Sequence, residues 1–188
     1  MKSLKELYRI GPGPSSSHTM GPQKACLEML KRCPNADHYR ADLYGSLAMT
    51  GKGHLSDQII IRTLAPRPVE VCFHMNEMKK HPNTLELHAF DAEDGLLETM
   101  TVYSVGGGVI EIEGEDAAVH APCYPHHTLD KIKAFCAAEH IGLNAYVDQF
   151  DDSDISSYLN EILIQMLKTV DAGLNASGIL PGRLKLER

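Results

Sequence analysis

The chain has 188 residues, 43% of them hydrophobic and none tryptophan, and its 18 basic against 25 acidic side chains give a formal net charge of −7. That length predicts about one domain, with a core large enough to stand without staples. The acidic balance argues against binding a phosphate backbone. No run of 18 apolar residues offers a membrane span, and the first residues hold no apolar stretch of signal-peptide length. Five cysteines, at 26, 33, 72, 123 and 136, are odd in number and form no two-residue-spaced pair. They predict neither a disulfide framework nor a zinc knuckle, and a reduced cytoplasmic setting is expected.

In chain order, the Gly- and Pro-punctuated stretch Gly11 to Pro22 predicts a loop at its start. Cys26, Met29, Leu30 and Cys33 share one helical face, so a helix begins between Ser17 and Pro22, with serine or threonine as its cap and proline in its first turn. Asn35 near Pro34 ends it. Tyr39 to Gly45 alternates apolar and polar, as a half-buried strand does. Gly51-Lys52-Gly53-His54 predicts a turn feeding a helix from Leu55 to Leu64. Strands are expected at Val69–Phe73, Leu85–Ala89, Thr99–Val105 and Val109–Glu113, with Asp94-Gly95 as a hairpin turn and Gly106-Gly107-Gly108 between the last two. Thr128 caps a helix carrying Leu129, Ile132, Phe135 and Cys136, closed by Gly142. Ile155, Tyr158, Leu159, Ile162, Met166 and Val170 draw a second stripe. Asp151, Asp152 and Asp154 sit at its favourable end, and Gly173 is its stop. Helices outside a block of strands read as α+β, with a mainly antiparallel sheet.

Chemistry concentrates in three places. Ser15, Ser16, Ser17, His18 and Thr19 stand at a helix entrance, where exposed N–H groups and hydroxyls suit a carboxylate or phosphate. No lysine follows a final glycine there, so this is not a Walker loop. The loop competes with a plain capped turn holding a satisfied histidine. In Tyr44 to Asp57, two glycines allow close approach, Lys52 offers a positive charge, and His54 is a candidate acid or base that Asp57 could orient. An ordinary solvated helix start is the plainer reading. Tyr103 to Gly108 places three glycines between strands, for function or for a bulge. His81 and the pair His126-His127 complete the histidines of interest. No two of His18, His54 and His81 have helical ligand spacing, so no metal site is expected. Cys26, Cys33 and Cys136 read as packing.

Taken together, Gly13 to Thr19, Leu43 to Leu47 with Gly51 to His54, and Tyr103 to Gly108 resemble the β portion of iron–sulfur L-serine dehydratase, also called L-serine ammonia-lyase. The resemblance covers essentially the whole chain. It implies a serine dehydratase β domain over residues 1–174 and, over 175–188, a tail resembling the junction to a cluster-bearing α portion. It further implies a lyase without pyridoxal phosphate, in which a [4Fe–4S] cluster with one free iron assists loss of the substrate hydroxyl while a base removes the α-proton. The products would be pyruvate and ammonia. At matching positions Ser15, Ser16, Ser17, Thr19 and Lys52 would face substrate, with His54 and His18 catalytic. The cluster cysteines belong to the α portion, a separate subunit or a following segment, so this chain is expected to hold no cluster and to be inactive alone. Partners implied are the α portion, L-serine and a second β domain. The β portion also resembles the allosteric substrate-binding domain of some phosphoglycerate dehydrogenases. The competing expectation is therefore a regulatory module that binds serine or a similar anion.

Overall fold

A computed structural model describes residues 1–116, 121–180 and 184–187. The chain forms two compact units, Met1–Ile10 with Ala118–Ser177, and Gly11–Ala117 with Gly178–Arg188. Pro181, Gly182 and Arg183 of the junction-like tail lie outside the described residues.

The second unit holds α1 (Gly21–Arg32), β1 (His38–Tyr44), α2 (Gly45–Thr50), α3 (Ser56–Leu64), β2 (Val69–His74), β3 (Thr84–Phe90), β4 (Leu96–Gly106) and β5 (Val109–Ile112). The strands form one five-stranded sheet in the order β2-β1-β3-β4-β5. The fold is α+β and the sheet mostly antiparallel, as expected. The exception is β1 with β2, which run parallel because two helices carry the chain back between them. The core lies on one sheet face, where Ala25, Cys26 and Met29 of α1 and Ile59, Ile60 and Leu64 of α3 cover Ala41, Leu43, Leu85, Leu87 and Val102. Period-2 alternation dictates this: Tyr39, Ala41 and Leu43 all point inward.

β1 is more than half-buried. On the opposite face Asp42 is also buried, gripped by the Arg40 guanidinium through two 2.8 Å bonds. His74 Nε2 stands 2.6 Å and His88 Nε2 3.4 Å from the same carboxylate. Burial alone would push that carboxyl up, but the bonds from Arg40 and His74 outweigh it and hold Asp42 below its ordinary range.

Helix α2 is absent from the sequence-based expectation. Gly45 turns the chain at φ +57°, donates its N–H to the Glu77 carbonyl at 3.0 Å, and Ser46 N–H reaches the Pro82 carbonyl at 2.7 Å. The β2–β3 connection therefore closes over the start of α2. A Cβ at Gly45 would stand 2.5 Å from the Pro82 oxygen, so glycine is required there twice over. Gly106, Gly107 and Gly108 all adopt positive φ in the β4–β5 turn, beside a register shift in the ladder.

The first unit holds a short 3₁₀ turn, Leu4–Glu6, with α4 (Leu129–Ala138), α5 (Leu143–Phe150) and α6 (Ile155–Asn175). Tyr124, Ile132, Cys136 and Tyr146 are its buried centre. His126 joins that aromatic group, with its Nδ1 3.0 Å from the Tyr146 hydroxyl. Thr128 caps α4 as expected. Gly142 does not close α4: that helix ends before His140, which takes the left-handed conformation, and Gly142 instead caps α5. Asp151 accepts from the Ser3 hydroxyl, Leu4 N–H and the Tyr124 hydroxyl, tying the N-terminal segment to this unit. The expected stripe of α6 buries only at its start. Ile155 and Ile162 are covered, whereas Met166 and Val170 are 47% and 58% exposed, and the helix continues past Gly173. No helix among the described residues is long and apolar enough to cross a membrane.

Candidate active site

The site is built on the second unit, where its three motif segments meet. Residues Ser16–Met20 form a single π-helical turn leading directly into α1, an irregularity that recurs at functional positions. Ser15 caps it: its hydroxyl accepts from His18 N–H at 3.1 Å, and its carbonyl accepts from Thr19 and Met20 N–H. Those N–H groups, expected to face an anion, are therefore spent within the turn. Ser16 stays exposed.

The turn is pinned from two sides. The Thr19 hydroxyl donates to the His54 carbonyl at 2.9 Å, and the Ser56 hydroxyl to the His18 carbonyl at 2.5 Å. From β4, the Ser104 hydroxyl donates to the Ser17 carbonyl at 2.8 Å, and a Cβ on Gly21 would stand 2.2 Å from that hydroxyl. These bonds bring together segments some 30 to 90 positions apart in the chain. The serine–histidine turn and the glycine–lysine–histidine turn lie side by side, with the His18 and His54 rings 4.8 Å apart.

The two imidazoles differ in role because their neighbours differ. His18 is buried: its Nδ1 is 2.9 Å from the Ser17 hydroxyl, and its Nε2 is 3.3 Å from the Ser46 carbonyl and 3.4 Å from the Ser46 hydroxyl. A carbonyl can only accept, so Nε2 carries the proton and Nδ1 accepts from Ser17. Burial pushes the His18 pKa down, the Ser46 carbonyl pulls it up, and the charge of His54 lowers it; the balance lies below the ordinary imidazole value. His54 is only partly buried, and its Nδ1 is 3.0 Å from the Thr50 carbonyl. By the same reasoning its proton sits on Nδ1, and Nε2 keeps a free lone pair. Asp57, expected to orient this ring, instead accepts from Gln58 N–H at 2.9 Å. Leu55 at φ 58° breaks the helical path between the two residues, so the three-residue spacing does not place them on one face.

His54 and Lys52 line a cleft of about 720 Å³ with Ala48, Met49, Thr50, Gly53, Phe73 and Met75. Lys52 Nζ stands 5.3 Å from the Phe73 ring centre, a cation held against an aromatic face at the cleft wall. Of the residues singled out from sequence, Lys52 and His54 border this cleft. His18 stands behind His54. Ser15, Ser17 and Thr19 build the turn that holds the pair. Ser46, Ser56 and Ser104 were missed as participants. All three lie inside segments already singled out, Ser46 and Ser56 in Tyr44 to Asp57 and Ser104 in Tyr103 to Gly108, but their roles carry no local signal because each acts on a residue tens of positions away.

A mixed sheet domain that presents paired imidazoles and an ammonium beside a small cleft belongs to the class of small-molecule sites. The chain belongs to the serine dehydratase beta chain family, whose profile matches residues 3–71 and 67–115. Among similar proteins, L-serine dehydratase 1 of Escherichia coli (strain K12) is 29% identical over 240 aligned positions, which cover 100% of this chain and 52% of that protein. L-serine dehydratase of Streptomyces coelicolor is 30% identical, covering 99% of this chain and 52% of that protein. L-serine dehydratase of Haemophilus influenzae is 28% identical with 100% and 52% covered. The chain thus spans about half the length of these relatives.

Proposed function

We propose that this chain is the β portion of an L-serine ammonia-lyase, working with an α portion in the cytoplasm to convert L-serine to pyruvate and ammonia. The observation that carries this reading is the His54 imidazole, held by the Thr50 carbonyl with its Nε2 lone pair free and with Lys52 on the same cleft. In this reading Lys52 pairs with the serine carboxylate and His54 Nε2 takes the α-proton. Hydroxide leaves from the β-carbon, so that the elements of water are lost and aminoacrylate forms. Its imine tautomer then takes up water to give pyruvate and ammonia. His18, neutral and boxed in by Ser17 and Ser46, backs the His54 ring.

The [4Fe–4S] cluster implied by the resemblance does not fit this chain. Cys26 and Cys136 are buried in apolar cores, burial pushes the Cys26 thiol up, and among the described residues no three His, Cys, Asp or Glu side chains could hold a metal. The cluster is assigned to the α portion. Association through a second β domain is part of the same reading.

The test is to assemble the chain with its α portion under anaerobic conditions with iron and sulfide, then assay pyruvate from L-serine. His54→Ala is expected to lower turnover by about 10²- to 10⁴-fold while co-elution with the α portion persists. If activity survives and only its dependence on serine concentration changes, His54 serves regulation and the proton-transfer role is lost.

A further inference from the structure

We propose that the second half of α6, from Leu163 to Leu174, is the surface on which the α portion docks, its apolar stripe seated against an apolar face of that portion. The inference rests on the function proposed above, which calls for an α portion, and names the place on this chain that receives it. The first turns of α6 are held within their own unit. Ile155 and Ile162 are buried, the Ser156 hydroxyl donates to Asp148 at 2.6 Å, and the Tyr158 hydroxyl donates to the Tyr8 carbonyl. Past Ile162 the side-chain hydrogen bonds among the described residues stay inside the helix, Gln165 with Thr169 and Asn175 with Asp171. Leu163, Leu167, Val170 and Leu174 recur at i, i+4, i+7 and i+11, which puts them on one face. All four are more than half exposed.

Helical spacing places Glu161 and Lys168 on the side opposite this stripe, which itself carries no charge. An amphipathic helix draws most of its stability from what its apolar face packs against, and a contiguous exposed apolar surface marks a site of interaction. Two boundaries point to what covers it. The β-chain profile stops at residue 115, and the two compact units divide between 117 and 118. Helices α4 to α6 therefore fall outside that profile, yet the similarity to longer relatives runs through the whole chain, and about half of the relatives' length lies beyond the aligned part. A unit that the longer relatives share but the β-chain profile leaves out goes with the rest of those proteins. The bare stripe of α6 is the seat for that rest, and its lack of charge calls for an apolar face in return.

The experiment titrates the full chain with its α portion by calorimetry and compares wild type with two double variants. Leu163→Lys with Leu167→Lys charges the stripe; Glu161→Lys with Gln165→Lys puts lysines at the same spacing on the polar side. The stripe pair is expected to weaken binding by about 100-fold, a tenfold factor for each leucine that the complex buries. The polar pair should leave it within about twofold. Hydrogen exchange on the wild-type chain, which needs no variant to fold, should slow across residues 163–174 when the α portion is added. Equal weakening by both pairs, no weakening by either, or unchanged exchange in that stretch overturns the proposal. So does a wild-type chain that fails to bind the α portion. If the chain self-associates without the α portion and the stripe pair is what dissociates it, a second copy is the occupant and the proposal is overturned as well. A complex that forms through the stripe yet makes no pyruvate from L-serine removes the lyase reading and leaves the docking surface standing.

Discussion

At the scale of single residues, the site depends on two histidines made unlike by their surroundings. His18 has its pKa depressed, chiefly by burial. Its folded value thus lies below the unfolded one of about 6.5, and the unfolded chain takes up the proton first as pH falls. The contribution of His18 to stability is fully present above about pH 6.5 and is lost progressively below it. Denaturant titrations across this window should show stability rising with pH, and His18→Gln should flatten that slope. A proton NMR titration should place the His18 midpoint below that of a free imidazole; a midpoint at or above it would overturn the assignment. The motif residues were readable one by one from the chain, since serine, lysine and histidine between glycines are conspicuous. Their partners were not. Asp57 looked suited to orient His54 at three positions' distance, yet the Thr50 carbonyl does so, because Leu55 turns the backbone between them.

Among the elements, the strands were legible because alternation is written in adjacent residues, and the Thr128 cap because its signal is equally local. Helix α2 was not: six residues beginning with glycine carry too little propensity to announce a helix. It exists because the β2–β3 connection covers its first N–H groups. Gly45→Ala tests this dependence. The added methyl meets both the positive φ and the Pro82 oxygen, which should cost about 3 kcal/mol of stability. On the proposed function it should also shift Ser46 away from His18 and so reduce pyruvate formation by the chain assembled with its α portion. Denaturant unfolding and the pyruvate assay check the two effects separately. The parallel pairing of β1 with β2 is of the same kind, since register and direction depend on the route of the helical connection rather than on the strands' own residues.

For the whole molecule, the division into two units gives a direct prediction. Asp151 gathers Ser3, Leu4 and Tyr124 within the first unit. Asp151→Ala leaves the buried Tyr124 hydroxyl and the partly buried Ser3 and Leu4 donors short of an acceptor, at about 2 kcal/mol. Hydrogen exchange should accelerate in residues 1–10 and across α4 to α6, while the sheet of the second unit keeps its protection. Uniform acceleration through both units would show that they unfold as one. The amino-acid sequence alone determined the alternating strands, the cap at Thr128, the packing of Cys26 against the core and the three motifs whose combination points to the family. Only the tertiary structure decided that residues 18, 46, 54 and 104 are neighbours, that Asp42 lies buried among Arg40, His74 and His88, and which nitrogen of His18 and of His54 faces a carbonyl. Local pattern records what each residue prefers over one or two turns. The meeting of distant hydroxyls, carbonyls and imidazoles depends on the path the chain takes between them.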